Sequence, residues 1–161
     1  MTSIRKKLKG FTLVELIVVI AIIGVLAAIL VPSMMGYVRN SRLKTANANA
    51  KIVFNAANSY ATKMQIEGKV VTQNQIVNPI NCTDDGTGDS GNEIRKEIAA
   101  ALSSNGNASG WAYLGFDSAG GGFKFARWTK NKDAANAIVG QYPNPPEDYN
   151  VLIEFESPTL S

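Results

Sequence analysis

The chain has 161 residues, enough for one ordinary domain, and its 16 basic and 13 acidic side chains give a formal net charge of +3. Four of the 16 basic residues, Arg5, Lys6, Lys7 and Lys9, precede Gly10, so the remainder holds 12 basic against 13 acidic side chains. This near-neutral remainder lacks the basic stripe that nucleic-acid binding requires, and we expect no nucleic-acid partner. Histidine, the commonest general base and metal ligand, is absent. We therefore expect neither an enzyme nor a metal or cofactor site.

The first predicted element is a membrane-spanning helix. Leu16 to Val38 is an uncharged run of 23 residues. At a rise of about 1.5 Å per residue, a helix of this length crosses a hydrocarbon layer of roughly 30 Å. The basic residues before it predict a cytoplasmic N terminus and an exported remainder. A secretory signal peptide would have a shorter apolar core and a small-residue cleavage site. Because the run continues into an amphipathic stretch, we expect a single-pass anchor.

Glu15 is the residue that a plain membrane anchor does not explain. A carboxylate in an apolar helix costs about 2.5–3.5 kcal/mol at the bilayer centre and less near the interface. Cleavage between Gly10 and Phe11 would create an ammonium group one helical turn before this carboxylate, and the two charges would pair. The pair can form within one chain or between neighbouring chains of an apolar bundle, where it would fix the axial register.

The residues around Glu15 resemble the processing site of type IV prepilins and pseudopilins. The shared pattern is a short basic leader ending in Gly10, then Phe11, a Thr-Leu-x-Glu run and an apolar helix, and here it is written KGFTLVEL. The resemblance implies that a prepilin peptidase cuts between Gly10 and Phe11 and methylates the new amine. It also implies that Glu15 recruits and registers the subunit during assembly. Residues 1–10 are then the leader peptide, and residues 11–38 the transmembrane and assembly helix.

The same resemblance implies a structural function, as the subunit of a type IV pilus used for adhesion, motility or DNA uptake. The precursor would lie in cytoplasmic membrane lipid and then join an extracellular helical homopolymer. An assembly ATPase and an inner-membrane platform protein are the implied partners. Two alternatives stay open: a pseudopilin of a type II secretion or competence system, in the periplasm or cell wall, and, more distantly, a single-pass membrane-anchored binding domain. Many Gram-negative major pilins carry a C-terminal disulfide, which a chain with Cys82 alone cannot form.

Three residues that weaken helices lie within the apolar run, namely Gly24, Pro32 and Gly36. Pro32 cannot donate a hydrogen bond to the carbonyl of Ala28, so we expect a kink or a local opening there. One interpretation is a tolerated transmembrane kink. The other is a segment that loosens so that helices can pack or the fibre can stretch.

A globular head is expected at residues 39–161. Apolar residues recur at spacings of three and four from Ala46 to Met64, which predicts an amphipathic helix over residues 39–67. We interpret it as the second half of one long helix that begins near Thr12. The fold class predicted is α+β, with this helix packed against a small antiparallel sheet, and the resemblance implies the same pilin fold.

An irregular connector is predicted at residues 69–110, interrupted by a short helix at Glu93–Ser103. Within it, the acidic and glycine-rich stretch Asp84–Asp89 has the residue types of a calcium loop but not the spacing of an EF-hand. An ordinary acidic surface turn is the alternative. We assign no function to Cys82.

The antiparallel sheet is expected at residues 111–156. Trp111–Asp117 and Phe123–Thr129 flank a glycine-rich turn and predict a hairpin. Tyr149–Glu156 alternates apolar and polar residues and predicts a further strand. The alternate side chains expected to face the core are Val151, Ile153 and Phe155.

Three aromatic residues in the predicted hairpin, Trp111, Tyr113 and Trp128, leave two interpretations open. They could form a flat platform that stacks on a sugar. Alternatively, they pack on the helix or at a subunit interface.

Overall fold

The computed structural model describes residues 10–72, 76, 78–83, 93–106, 109–117, 122–151 and 153–156. Its elements in chain order are α1 (Leu13–Ile66), β1 (Ile80–Asn81), α2 (Glu93–Ser104), β2 (Trp111–Asp117), β3 (Gly122–Thr129) and β4 (Val139–Tyr142). The chain divides into two compact units, residues 1–38 and 39–161. The class is α+β, as the sequence predicts, with one long helix and one small antiparallel sheet.

The first unit is helical from residue 13 onwards, and its large apolar side chains are exposed. Pro32 lies inside the helix without ending it. Among the described residues, α1 is the one helix whose length and composition would let it cross a membrane. A large apolar surface that the described residues leave uncovered indicates contact with a membrane or with other protein.

The second unit is built on the face of α1 that packs against the sheet. The side chains that α1 buries there recur every three or four residues, as the sequence pattern predicts. They are Leu43, Ala46, Asn49, Ala50, Val53, Ala57, Ala61 and Met64. Most of them are small, so the helix lies close to the strands. At the closest point, a Cβ added to Gly140 of β4 would lie 2.0 Å from the carbonyl carbon of Ala46, and this approach is why glycine is required there.

The sheet has four strands in the order β1-β2-β3-β4, and every neighbouring pair is antiparallel. The hairpin predicted from the sequence is confirmed, with Trp111 of β2 opposite Thr129 of β3. The glycine-rich turn between these strands, residues 118–121, lies outside the described residues.

Asparagine side chains bond the sheet at two places, on β2 beyond the end of the short strand β1 and on the outer strand β4. Asn78 donates its amide to the carbonyl of Leu114 on β2 at 2.8 Å and accepts the backbone N–H of Leu114 at 3.0 Å. On the other side, the backbone N–H of Gln141 on β4 donates to the side-chain oxygen of Asn47 on α1 at 3.2 Å. Asn47 also donates to the carbonyl of Pro146 at 3.0 Å. These bonds fix the sheet to its surroundings at two points where strand pairing stops.

The strand predicted at Tyr149–Glu156 is wrong. The described residues of that segment form turns and irregular structure, and Val151, expected in the core, is 54% exposed. Phe155 is buried as predicted, but its ring packs across the sheet, edge-on to Tyr113 at a centroid distance of 6.2 Å. The apolar alternation therefore marks a segment that covers the sheet and does not extend it.

The fourth strand is Val139–Tyr142, which the sequence analysis did not predict. Its sequence is only VGQY, and glycine and glutamine give little strand signal. The predicted connector likewise contains the two-residue strand β1, which is too short to show a pattern. The connector helix is confirmed as α2, which ends one residue later than expected.

Candidate functional site

The N terminus of α1 is closed by reciprocal hydrogen bonds between Thr12 and Glu15. One carboxylate oxygen of Glu15 accepts the backbone N–H of Thr12 at 2.9 Å and the Thr12 hydroxyl at 2.8 Å. The Thr12 hydroxyl oxygen in turn accepts the backbone N–H of Glu15 at 3.3 Å. This arrangement is a capping box, with Thr12 as the N-cap and Glu15 as the third helical residue.

The capping function of Thr12 is a feature that the sequence analysis missed. The Thr-x-x-Glu spacing directly before an apolar run is the usual signal for a capping box. The interaction offsets part of the free-energy cost of placing Glu15 at the start of an apolar helix, because the carboxylate accepts the backbone N–H of Thr12, which has no partner within the helix. The interaction also holds the carboxylate beside Thr12, the residue that follows Phe11.

The two residues of the predicted cleavage site are open to solvent. Gly10 precedes the helix and is exposed, and the side chain of Phe11 is 84% exposed. A Cβ added to Gly10 would meet no atom within 4 Å, and its backbone is not in the left-handed region. Nothing in the described fold therefore requires glycine at this position.

The three predicted weak points all lie within the α1 helix. An added Cβ at Gly24 would meet no atom within 4 Å. Next to Pro32, the Ser33 hydroxyl donates to the carbonyl of Leu30 at 2.9 Å. The carbonyl that loses its donor at Pro32 is that of Ala28, so this bond does not replace the missing one. That the region from Gly24 to Gly36 loosens in a filament stays a prediction.

The aromatic residues proposed as a sugar platform do not share one surface. Trp128 is 5% exposed and belongs to the core under α1. Trp111 and Tyr113 are half-buried; the ammonium of Lys132 lies 5.0 Å from the Trp111 ring centroid, and the Tyr113 ring stacks on Phe125. A three-ring platform is therefore ruled out, and the packing interpretation holds for Trp128.

Cys82 is buried in the core, where burial raises the pKa of its thiol to about 12. The thiol is therefore a packing group at neutral pH. The predicted calcium stretch Asp84–Asp89 lies outside the described residues. Within the described part of the chain, no three side chains of the metal-binding types come together.

Comparison with known proteins agrees with the features described at the N terminus of the chain. The family model for the prokaryotic N-terminal methylation motif matches residues 5–31. Fimbrial protein Q of Moraxella bovis is 30% identical over 134 residues, which cover 83% of this chain and 78% of that protein. This chain belongs to the type IV pilin family.

Other relatives match the pilin over shorter stretches. The type IV major pilin protein PilA of Myxococcus xanthus is 42% identical over 52 residues, which are 32% of this pilin and 24% of that protein. A fimbrial protein of Neisseria meningitidis is 30% identical over 103 residues, 54% of this pilin. The match thus spans about a quarter of the Myxococcus protein and 61% of the Neisseria protein. No solved structure matches the pilin.

Proposed function

We propose that this pilin is the structural subunit of an extracellular type IV pilus, cut after Gly10 and polymerised through its N-terminal helix. The observation that carries the proposal is the apolar surface of residues 13–38, whose large side chains are exposed. Lipid covers such a surface in the precursor. In the filament, the same helices of neighbouring subunits cover one another.

The environment of Gly10 supports processing at this position. Because a side chain there would meet no atom of the described residues within 4 Å, a requirement for glycine would come from outside the subunit. A peptidase that must approach the backbone closely supplies that need. Cleavage would free the amine of Phe11, whose exposed position also suits methylation by the same enzyme.

Glu15 acts in assembly through its charge. Its carboxylate is already held at the helix start by Thr12, so it is oriented before any partner arrives. The Phe11 ammonium of the same or a neighbouring subunit would pair with it and set the axial register. Lifting the subunit from the membrane needs work, which an assembly ATPase and an inner-membrane platform protein would supply.

A pseudopilin of a secretion or competence machine is the second candidate. The names of the similar proteins favour the pilus, because they are a fimbrial protein in Moraxella and a major pilin in Myxococcus. The uses of the pilus, in adhesion, motility or DNA uptake, follow from this proposal.

The test is intact-mass and N-terminal analysis of the chain sheared from the surface of its native host. We expect an abundant species that begins at methylated Phe11. The same species confined to membranes would favour the pseudopilin, and a chain that still begins at Met1 would refute processing. As a matched pair, Gly10→Val should block cleavage, whereas Gly24→Ala, which also meets no neighbouring atom, should be cut normally.

A further inference from the structure

The charged residues that follow the apolar half of α1 are all basic. Arg39 is the first of them, Arg42 and Lys44 come next, and no acidic residue occurs between Glu15 and Glu67. Basic residues at the exported end of a membrane anchor oppose the positive-inside tendency, which favours them at the cytoplasmic end. Membrane topology therefore does not explain this basic stretch, and a ligand for it has to be sought.

Arg42 lines a groove of about 620 Å³ in the second unit. One wall of the groove is α1 from Ser41 to Ala46, and the other is the chain from Trp128 to Ile138. The second wall contributes Lys130, so each wall carries one cation, and both side chains are exposed. We call this feature the basic groove.

The two cations of the basic groove have no counter-charge. Among the described residues, neither Arg42 nor Lys130 takes part in an ion pair, and the described lining contains no carboxylate. The ammonium of Lys130 donates to the hydroxyl of Ser109, which is neutral. Asp133, next in sequence to the lining, is paired with Lys132 at 2.7 Å. Two uncompensated cations favour an anion with several oxygen acceptors, such as a phosphate.

The chain connection keeps the basic groove close to the proposed membrane-spanning segment. Arg42 follows Val38, the last residue of the uncharged run, by four residues. Four residues span at most about 14 Å when fully extended, and this limit holds at any angle between anchor and head. The headgroup layer on each side of a bilayer is roughly 5–8 Å thick. Arg42 is therefore within reach of the phosphates of the lipids around the anchor.

We propose that the basic groove binds the headgroup of an anionic phospholipid while the subunit is held in the membrane. The inference rests on one part of the proposed function, the membrane-anchored precursor. The lipid phosphate would accept hydrogen bonds from the guanidinium of Arg42 and the ammonium of Lys130. Because these cations belong to different walls, one headgroup would join α1 and the chain beyond β3 at the membrane surface.

Lys44 separates a specific lipid site from a general attraction between a basic surface and an anionic membrane. It is exposed and lies two residues beyond Arg42 on the same helix, but it does not line the basic groove. A general attraction would depend on Lys44 about as much as on Arg42. A site in the basic groove depends on Arg42 and Lys130 and is indifferent to Lys44.

Native mass spectrometry of the full chain in a nonionic detergent tests the inference. The chain is mixed with equal amounts of phosphatidylglycerol and phosphatidylcholine that have identical acyl chains, and the lipid retained by the protein is identified. The groove variant is Arg42→Gln with Lys130→Gln. The matched control is Lys44→Gln with Lys63→Gln, which removes the same charge, and all four positions are exposed.

We expect the wild type to retain phosphatidylglycerol over phosphatidylcholine by at least about tenfold, because each cation near an anionic lipid surface contributes about fivefold in affinity. The groove variant should lose this preference, and the control should keep it. Equal retention of the two lipids by the wild type, or an equal loss in the control, would overturn the inference.

Sheared filament from cells that carry the same variants distinguishes lipid from another occupant. A lipid site acts before assembly, so the groove variant should still reach the surface as filament. If a carboxylate of a neighbouring subunit filled the groove, the groove variant would lose filament and the wild type would show no lipid preference, which overturns the inference. A wild-type chain that keeps the lipid preference but forms no filament would instead remove the proposed pilus and leave the lipid site.

Discussion

The guanidinium of Arg127 donates a hydrogen bond to the backbone carbonyl of Glu154 over 2.9 Å, although Arg127 is fully buried. A second guanidinium nitrogen donates to the side-chain oxygen of Gln141 at 2.8 Å, and the group lies 4.6 Å from the Phe125 ring centroid. Burial lowers the pKa of Arg127, yet the side chain stays charged at any physiological pH. One side chain thus joins β3, β4 and the C-terminal segment without a disulfide.

Replacement of Arg127 by methionine should destabilise the head by roughly 2–4 kcal/mol, because the buried side-chain oxygen of Gln141 and the part-buried carbonyl of Glu154 lose a charged donor. The measurement is urea unfolding of the full chain in detergent, with tryptophan fluorescence as the probe of unfolding. Lys124→Met on the same strand, at an exposed site, should change the unfolding free energy by less than about 0.5 kcal/mol. Equal effects of the two substitutions would show that Arg127 does not hold the segment.

Replacement of Gly140 by alanine should cost about 2 kcal/mol or more, because the new methyl group would overlap the α1 backbone at Ala46. Backbone cannot move aside as a flexible side chain does. Gly122→Ala is the matched control in the same sheet, since its Cβ would lie 3.4 Å from the Asn58 side chain, an ordinary contact. The same urea titration compares them, and a neutral Gly140→Ala would contradict the close approach.

Cys82 should make the stability of the head fall in alkaline solution. Burial raises its pKa from the ordinary 9.0 to about 12, so between these values the unfolded thiol loses its proton and the folded one keeps it. The unfolded state then binds fewer protons, and the unfolding free energy drops by up to about 1.4 kcal/mol per pH unit. This contribution is fully present below pH 9 and lost as pH rises towards 12. Cys82→Ala should have a shallower alkaline slope, and identical slopes would refute the assignment.

Two substitutions separate the two functions of Glu15. Glu15→Gln retains an acceptor for the capping box but removes the charge, so the helix should persist while filament assembly is lost. Thr12→Val removes the N-cap, at a cost of about 1 kcal/mol, but keeps the charge, so filaments should still form. Sheared filament measures assembly, and circular dichroism of the membrane-extracted chain measures the helix. Wild-type assembly of Glu15→Gln would show that Glu15 serves only as a cap.

The elements that the sequence predicted are those whose patterns are long. Apolar spacing over many turns gave α1 to within a residue at each end, and β2 and β3 carry runs of strand-forming residues. The strand Val139–Tyr142 was not predicted because its glycine is explained by close contact with α1. A contact of this kind, between residues far apart in sequence, leaves no local sequence pattern. The strand predicted at Tyr149–Glu156 is absent from the described residues, and of its alternate apolar side chains Phe155 is buried on the sheet whereas Val151 is exposed, so the alternation did not report one buried face.

Candidate sites formed by residues close in sequence could likewise be predicted, and those formed by residues far apart in sequence could not. Gly10, Phe11 and Glu15 lie within six residues of one another and were predicted from the sequence, where the cap at Thr12 could also have been recognised. The groove between α1 and the chain beyond β3 could not be found, because its lining residues Arg42 and Lys130 come together only when that chain returns to α1.

The asparagine side chains at the two borders of the sheet matter for a protein made to polymerise. An unpaired strand edge is a template on which further strands add, and repeated addition leads to amyloid-like stacks. In this pilin, Asn78 bonds both backbone groups of Leu114, and Asn47 takes the outward N–H of Gln141. Crowding many heads side by side therefore leaves those backbone groups occupied, which favours ordered growth through helices over disordered growth through strands.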